Sequence, residues 1–134
     1  LYSSAASDVY KRQSTINEKL IIVDYKATSK KGEVSLDAPW QISYKRQVEI
    51  YQWLFRKNDY DVEDIAYFVY CNGIRDKKDF NNNLEFKTKI ISYKGNTDWI
   101  DPITREIKKI LDDDNIPSAE PGCEYCRYIT KANI

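Results

Sequence analysis

The strongest constraint on this chain is a short apolar run, Leu20-Ile21-Ile22-Val23, that turns polar at Asp24-Tyr25-Lys26. Three of its four residues are β-branched, which predicts a strand buried on both faces whose C-terminal end reaches the surface of the fold. Alternate side chains on a strand share a face, so Asp24 and Lys26 point one way and Tyr25 the other. A carboxylate and an ammonium are thereby held side by side where a buried strand meets solvent, a place suited to a divalent metal and a phosphate.

Acid-x-Lys spacing cannot select this pair by itself, because it occurs four times: Asp24/Lys26, Asp76/Lys78, Glu85/Lys87 and Glu106/Lys108. Context separates them. Asp76/Lys78 lies in a charged, Asn-rich loop. Glu106/Lys108 falls in a helical pattern, where residues two apart diverge. Glu85/Lys87 belongs to the solvent side of an alternating strand. Only Asp24/Lys26 ends an apolar strand and precedes a helix with its own polar pair.

At 134 residues the chain is at most one ordinary domain. Its 42% hydrophobic content argues against disorder and for a real core. Lysine plus arginine equals aspartate plus glutamate, 21 of each, so any nucleic-acid contact must rest on local clusters rather than on an overall basic field. No apolar run approaches the roughly 20 residues of a membrane span, and no signal-peptide pattern is seen, so no membrane partner is expected. Three cysteines are too few for a disulfide scaffold and point to a reducing cytoplasm. The chain has no histidine, which excludes His-based catalysis and the commonest zinc ligand.

Residues 1–13, LYSSAASDVYKRQ, are small and polar without periodicity and resemble a translated sequencing-adaptor leader. They are read as non-native, with residues 14–134 as a partial domain. Asn17-Glu18 then reads as the turn of a hairpin whose first strand is missing or replaced. After the central strand, 29–37 is a polar loop, and a helix is predicted from Gln41 to Lys57 with Ile42, Val48, Tyr51, Leu54 and Phe55 as its apolar stripe. An acidic loop, 59–64, leads to a second buried strand from Ile65 to Cys71. Strand, helix and strand at this spacing form a βαβ unit, expected to be parallel. A third strand, Leu84 to Tyr93, alternates apolar with charged residues and belongs nearer an edge. A last helix runs from Asp98, its candidate N-cap, to Leu111, with Pro102 in its first turn. Fraying is expected at Asp112-Asp113-Asp114, and the tail 116–134 reads as loop.

The first helix carries Gln47 and Tyr51 four residues apart, hence on one face, and both offer neutral hydrogen-bonding groups that can grip a phosphate or a base. Apolar strand, Asp24-Tyr25-Lys26, loop, then Gln47-Val48-Glu49-Ile50-Tyr51 resembles the RecB-type branch of the PD-(D/E)XK nuclease superfamily over roughly residues 16–128. The resemblance implies a mixed central β-sheet flanked by helices, a restriction-endonuclease-like α/β core that is incomplete here. It implies an Mg²⁺- or Mn²⁺-dependent deoxyribonuclease acting on DNA, exo- or endonucleolytic, with Asp24 and Lys26 as catalytic residues. Asp24 and the Tyr25 backbone carbonyl would be metal ligands, Lys26 would orient the attacking water, and Gln47 and Tyr51 would position the nucleic acid. Magnesium accepts oxygen ligands and keeps several waters, so the absence of histidine does not count against it.

The family carries a further acidic ligand on the preceding hairpin strand, commonly after a glycine. In this chain that region is the leader, and Asp8 has no glycine before it, so the role is not transferred to Asp8 and the fragment is expected to be inactive as it stands. Cys123-x-x-Cys126, followed by Tyr128, resembles the C-terminal cysteine pair of RecB-type nucleases. Two thiolates do not make a four-ligand site, and Cys71 ends a core strand, so the pair reads as a vestigial metal motif and no iron–sulfur cluster is expected. Two other readings stay open: a catalytically silent nucleic-acid-binding module of the same fold, and a structural α/β domain closed by a C-terminal metal knuckle.

Overall fold

The computed structural model describes residues 12–13, 19–77, 79 and 82–132; Asp8 and the hairpin turn expected at Asn17-Glu18 lie outside them. Along the first strand burial alternates instead of being continuous: Leu20, Ile22 and Asp24 are buried, Ile21 and Val23 half-buried, and Tyr25 exposed. The expectation of burial on both faces is therefore corrected. One face is covered by a helix, whereas the other leaves Tyr25, Phe86 and Ile90 more than half exposed.

The stretch pairs in two ways. Its start, β2 (Leu20–Ile21), runs antiparallel to β1 (Arg12–Gln13), with Arg12 opposite Ile21. The strand expected to lack a hairpin partner thus has a short one, formed by the last two residues of the presumed leader. The continuation, β3 (Val23–Thr28), lies parallel to β4 (Ile65–Gly73), and β4 is antiparallel to β5 (Phe86–Lys94). The sheet order β3-β4-β5 is mixed, and β5 is at an edge as its charged alternation predicts.

Between β3 and β4 the chain enters a 3₁₀ turn at Pro39–Gln41 and then α1 (Ile42–Lys57). Pro39 pre-sets the first turn, and the Gln41 side chain holds the approach by accepting the Ala38 N–H at 2.8 Å and donating to the Ser35 carbonyl at 2.6 Å. The helix buries a stripe of Tyr44, Val48, Tyr51 and Phe55 against Ile22, Ala66 and Phe68. Ile42 and Leu54, expected in that stripe, face outward. Their places are taken by Glu49 and Gln52, both buried. Val34, Leu36 and Val62 also enter the core, although each comes from a stretch that reads as polar loop. Complete burial of side chains such as Val48 and Phe68 contributes about 1.5–3 kcal/mol each.

The buried polar residues of α1 act as a clamp. Gln52 Nε2 donates to the carbonyls of Glu63 and Asp64 at 3.0 and 2.9 Å. Glu49 Oε1 accepts the Tyr93 hydroxyl at 2.7 Å and the Asn96 N–H at 3.0 Å. The helix is thereby tied to the segment before β4 and to β5 with its following loop. Gly95 passes directly against this clamp, donating its N–H to the Asp64 carbonyl at 2.9 Å.

The chain divides into two compact units, Leu1–Asp98 and Trp99–Ile134. The second contains α2 (Ile100–Asp112) and α3 (Glu124–Ala132). Asp98 does not cap α2: its N–H is taken by the Asn96 side chain at 2.9 Å, and the helix starts after Trp99 without a side-chain cap. The helix stops at Asp112, which pairs with Lys108, and Asp113 turns extended. The tail expected to be loop forms α3, because the turn at Pro121-Gly122 frees a start at which Cys123 Sγ accepts the Cys126 N–H at 3.3 Å and Glu124 complements the helix dipole. Among the described residues no helix is long and apolar enough to cross a membrane.

Two outcomes test the clamp. A methyl group at Gly95 would run into Gln52 Oε1 and come within 3.3 Å of Glu49 Cγ. Gly95→Ala should therefore lower the unfolding free energy by about 1–3 kcal/mol in urea titration; an unchanged midpoint would show that the clamp yields. Burial, then the hydrogen bond to Glu49, pushes the Tyr93 phenol up to about 12 from 10.0. The unfolded chain thus releases this proton first, so stability should fall as pH rises from about 10 towards 12. Tyr93→Phe should flatten that fall when denaturant midpoints at pH 9 and pH 11 are compared.

Candidate active site

Strand alternation carries the face of Ile22 forward to Asp24 and Lys26, under the N-terminal half of α1. The helix supplies Tyr44, Gln47 and Tyr51 at intervals of three and four, which bring them to one side. The result is a connected polar row. Lys26 Nζ lies 2.8 Å from Asp24 Oδ2. The same ammonium donates to Gln47 Oε1 at 3.0 Å and stands 4.3 Å from the centre of the Tyr44 ring. Gln47 Nε2 in turn donates to the Tyr51 hydroxyl at 2.9 Å.

The row fixes directions as well as positions. Because Lys26 can only donate, the Gln47 carbonyl must face it, and the Gln47 amide nitrogen is left to face Tyr51. The Tyr44 ring adds a π-face, so the ammonium is held on three sides. Asp24 and Lys26 side chains are 10% and 17% exposed, so their attraction is weakly screened compared with a surface pair.

Asp24 Oδ2 is buried and has no well-formed hydrogen bond; the Lys26 ammonium is close but off the bonding directions. A buried anionic oxygen without a hydrogen bond is the kind of donor a divalent cation uses. The Ile22 carbonyl accepts the Tyr67 N–H of β4 at 2.9 Å, so alternation turns the carbonyls of Asp24 and Lys26 towards β4 and that of Tyr25 towards the opposite edge. Asp24 and the Tyr25 carbonyl fit a cation that keeps most of its waters. Among the described residues no group of three or more Cys, Asp or Glu side chains gathers to chelate one more tightly.

All the expected site residues on β3 and α1 are thus brought together. Two others come with them. Tyr44 was readable from its spacing to Gln47 and Tyr51. Tyr70 was not: it reaches the site because β4 places it opposite Lys26. Its hydroxyl is buried without a well-formed hydrogen bond, and burial holds the phenol above its ordinary value, with the nearby Gln41 side chain acting the other way.

Cys123 and Cys126 belong to the second unit, at the start of α3. The Cys126 N–H holds the Cys123 thiol below its ordinary value, while the hydrogen bond with Cys123 raises that of Cys126. Two sulfurs without further donors among the described residues fall short of a four-coordinate metal site.

Comparison with known proteins identifies the family of the chain. A family model described as the PD-(D/E)XK nuclease superfamily matches residues 12–130, which include the polar row, both cysteines and the short β1. No curated protein and no solved structure matches the chain. With the match extending over nearly its whole length, the chain belongs to the PD-(D/E)XK nuclease superfamily.

Proposed function

We propose that the site hydrolyses DNA phosphodiester bonds, with Asp24 and Lys26 as the reactive pair and Mg²⁺ or Mn²⁺ as the cofactor. The observation that carries the reading is the buried Asp24–Lys26 contact, 2.8 Å long and ordered by Gln47 from a second element, in a chain of a nuclease superfamily. A pair needed only for stability has little reason to be built this way, because two charges taken from water cost several kcal/mol each before their attraction offsets it.

In this reading Asp24 and the Tyr25 carbonyl hold the cation, and Lys26 faces the phosphate. Hydrolysis builds negative charge on the non-bridging oxygens, which the Lys26 ammonium offsets while one of its protons orients the attacking water. When bound, a divalent cation would neutralise the same charge and lower the pKa of a coordinated water. Gln47 keeps the ammonium aimed, and Tyr51 keeps Gln47 aimed. Tyr44 shields one side of the ammonium from water. Of the three ammonium protons of Lys26, Gln47 takes one, so a proton can turn to the substrate while the Gln47 bond holds the side chain in place.

A second reading is favoured by one feature: among the described residues Asp24 does not gather with two further acidic side chains, and Lys26 lies against it. A chain that binds DNA through this fold without cutting it would look similar. The two readings separate in a digestion assay on plasmid and single-stranded DNA with Mg²⁺ or Mn²⁺. DNA binding without cleavage at any metal concentration would select the silent binder.

In the active protein, Lys26→Ala should slow cleavage by roughly 10²–10³, the scale of losing one transition-state charge stabiliser. Asp24→Asn should cost at least as much. A Lys26→Ala protein with wild-type kcat would sink the assignment. Gln47→Ala should cost about 1 kcal/mol, roughly fivefold, through one neutral hydrogen bond. Its circular dichroism should match the parent, because Gln47 stands at the edge of the core; gross unfolding would reassign it to a structural role.

A further inference from the structure

Beyond the reactive pair, the ends of β3, β4 and β5 open into a cleft of about 500 Å³. Five of its lining residues are cationic, Lys30, Lys31, Arg75, Lys87 and Lys89, against the carboxylates of Glu33 and Asp76. The whole chain carries as many acids as bases, so this surplus is a local concentration rather than a share of a general excess.

Two of the cations are already paired, Lys89 with Glu33 at 2.9 Å and Lys31 with Asp76 at 3.8 Å. Lys30, Arg75 and Lys87 form no ion pair among the described residues. The backbone beneath them is ordered. Asn72, at the end of β4, accepts the Lys30 N–H at 3.0 Å and donates to the Lys30 carbonyl at 3.1 Å. Gly32 allows the loop to turn with φ 84°, a conformation that side-chain-bearing residues rarely adopt.

Register connects the cleft to the site. Lys26, Tyr70 and Lys89 form one row across the sheet, and Thr28, Asn72 and Lys87 the next. Cross-strand partners share a face, so Lys87 and Lys89 project from the same face as Asp24 and Lys26. With neighbouring strands about 4.8 Å apart, the Lys89 backbone stands roughly 10 Å from that of Lys26, and Lys87 about 7 Å further along its strand.

We infer that this cleft is the track for the DNA backbone flanking the cleaved bond, with Lys30, Arg75 and Lys87 contacting successive phosphates without reading bases. The inference rests on the nuclease reading for its ligand, and it adds residues that the Asp24–Lys26 site does not contain. Cations on an ordered ledge suit a repeating anion, and none of the described residues lining the cleft is aromatic, so they offer backbone phosphates charge rather than bases a stacking surface.

Binding is measured apart from cleavage, on Asp24→Asn protein with labelled single-stranded and duplex oligonucleotides over a range of salt. Replacing Lys30, Arg75 and Lys87 together by alanine should weaken binding and make the slope of log K against log salt shallower by about 2 for single strands, from about 0.7 per contact. The control replaces Lys19, Lys57 and Lys94, which flank the other end of the strands and α1 and make the same change in net charge, and should leave the slope as it was. An unaltered slope in the cleft variant, or an equal change in the control, would overturn the track. RNA of the same sequence bound more tightly with the same loss of slope would overturn DNA as its ligand. Should the triple variant unfold, the single changes Lys30→Gln and Lys87→Gln should each remove about 0.7 from the slope, and their failure to do so counts equally against the track. Asp24-dependent cleavage with an unaltered slope would refute the cleft and spare the nuclease; a lost slope without cleavage in the parent would do the reverse.

Discussion

The seating of α1 on the sheet is the constraint from which the rest follows. Apolar packing of Val48 against Ile22 and Phe68 holds the helix down but would tolerate small slides along its axis, because hydrophobic contacts are non-directional. Hydrogen bonds do not tolerate them. Gln52 must meet the Glu63 and Asp64 carbonyls, and Glu49 must meet Tyr93 and Asn96. A slide of one residue would leave buried polar groups unpaired at about 1–3 kcal/mol apiece. The same register decides which residue of α1 stands over Lys26, and it selects Gln47.

The site is a boundary structure. Asp24 lies at the limit of the buried core and Lys26 two residues further on, where the strand emerges. Deeper burial would make the pair an expensive structural element, and full exposure would let water and salt screen it. At this depth the ammonium lies close to a carboxylate, an amide oxygen and an aromatic face, yet is not sealed from solvent, as the proposed phosphate contact requires. Tyr70 closes the inner side. Its hydroxyl is buried without a well-formed hydrogen bond.

Charge is distributed to the same end. A chain with balanced acids and bases still presents a cationic cleft on one side of the sheet, because the register of β5 and the loop pinned by Asn72 gather lysines that lie far apart in sequence. Such sorting favours a polyanion locally while avoiding the self-repulsion of a chain basic throughout.

Local pattern alone determined the βαβ unit, the edge character of β5 and the shared face of Asp24 and Lys26, because strand and helix periods are properties of neighbouring residues. The spacing of Gln47 and Tyr51 belongs to the same class. Tertiary structure decided what periodicity does not encode. Val34, Leu36 and Val62 are single apolar residues in polar stretches, and nothing local marks them as core. Glu49 and Gln52 read as surface until buried partners claim them. Tyr70 reaches Lys26, and Lys87 and Lys89 reach the cleft, only through strand register. The common reason is that a residue's neighbours in sequence set its conformation, whereas the partner of a polar group is set by which elements meet and at what offset.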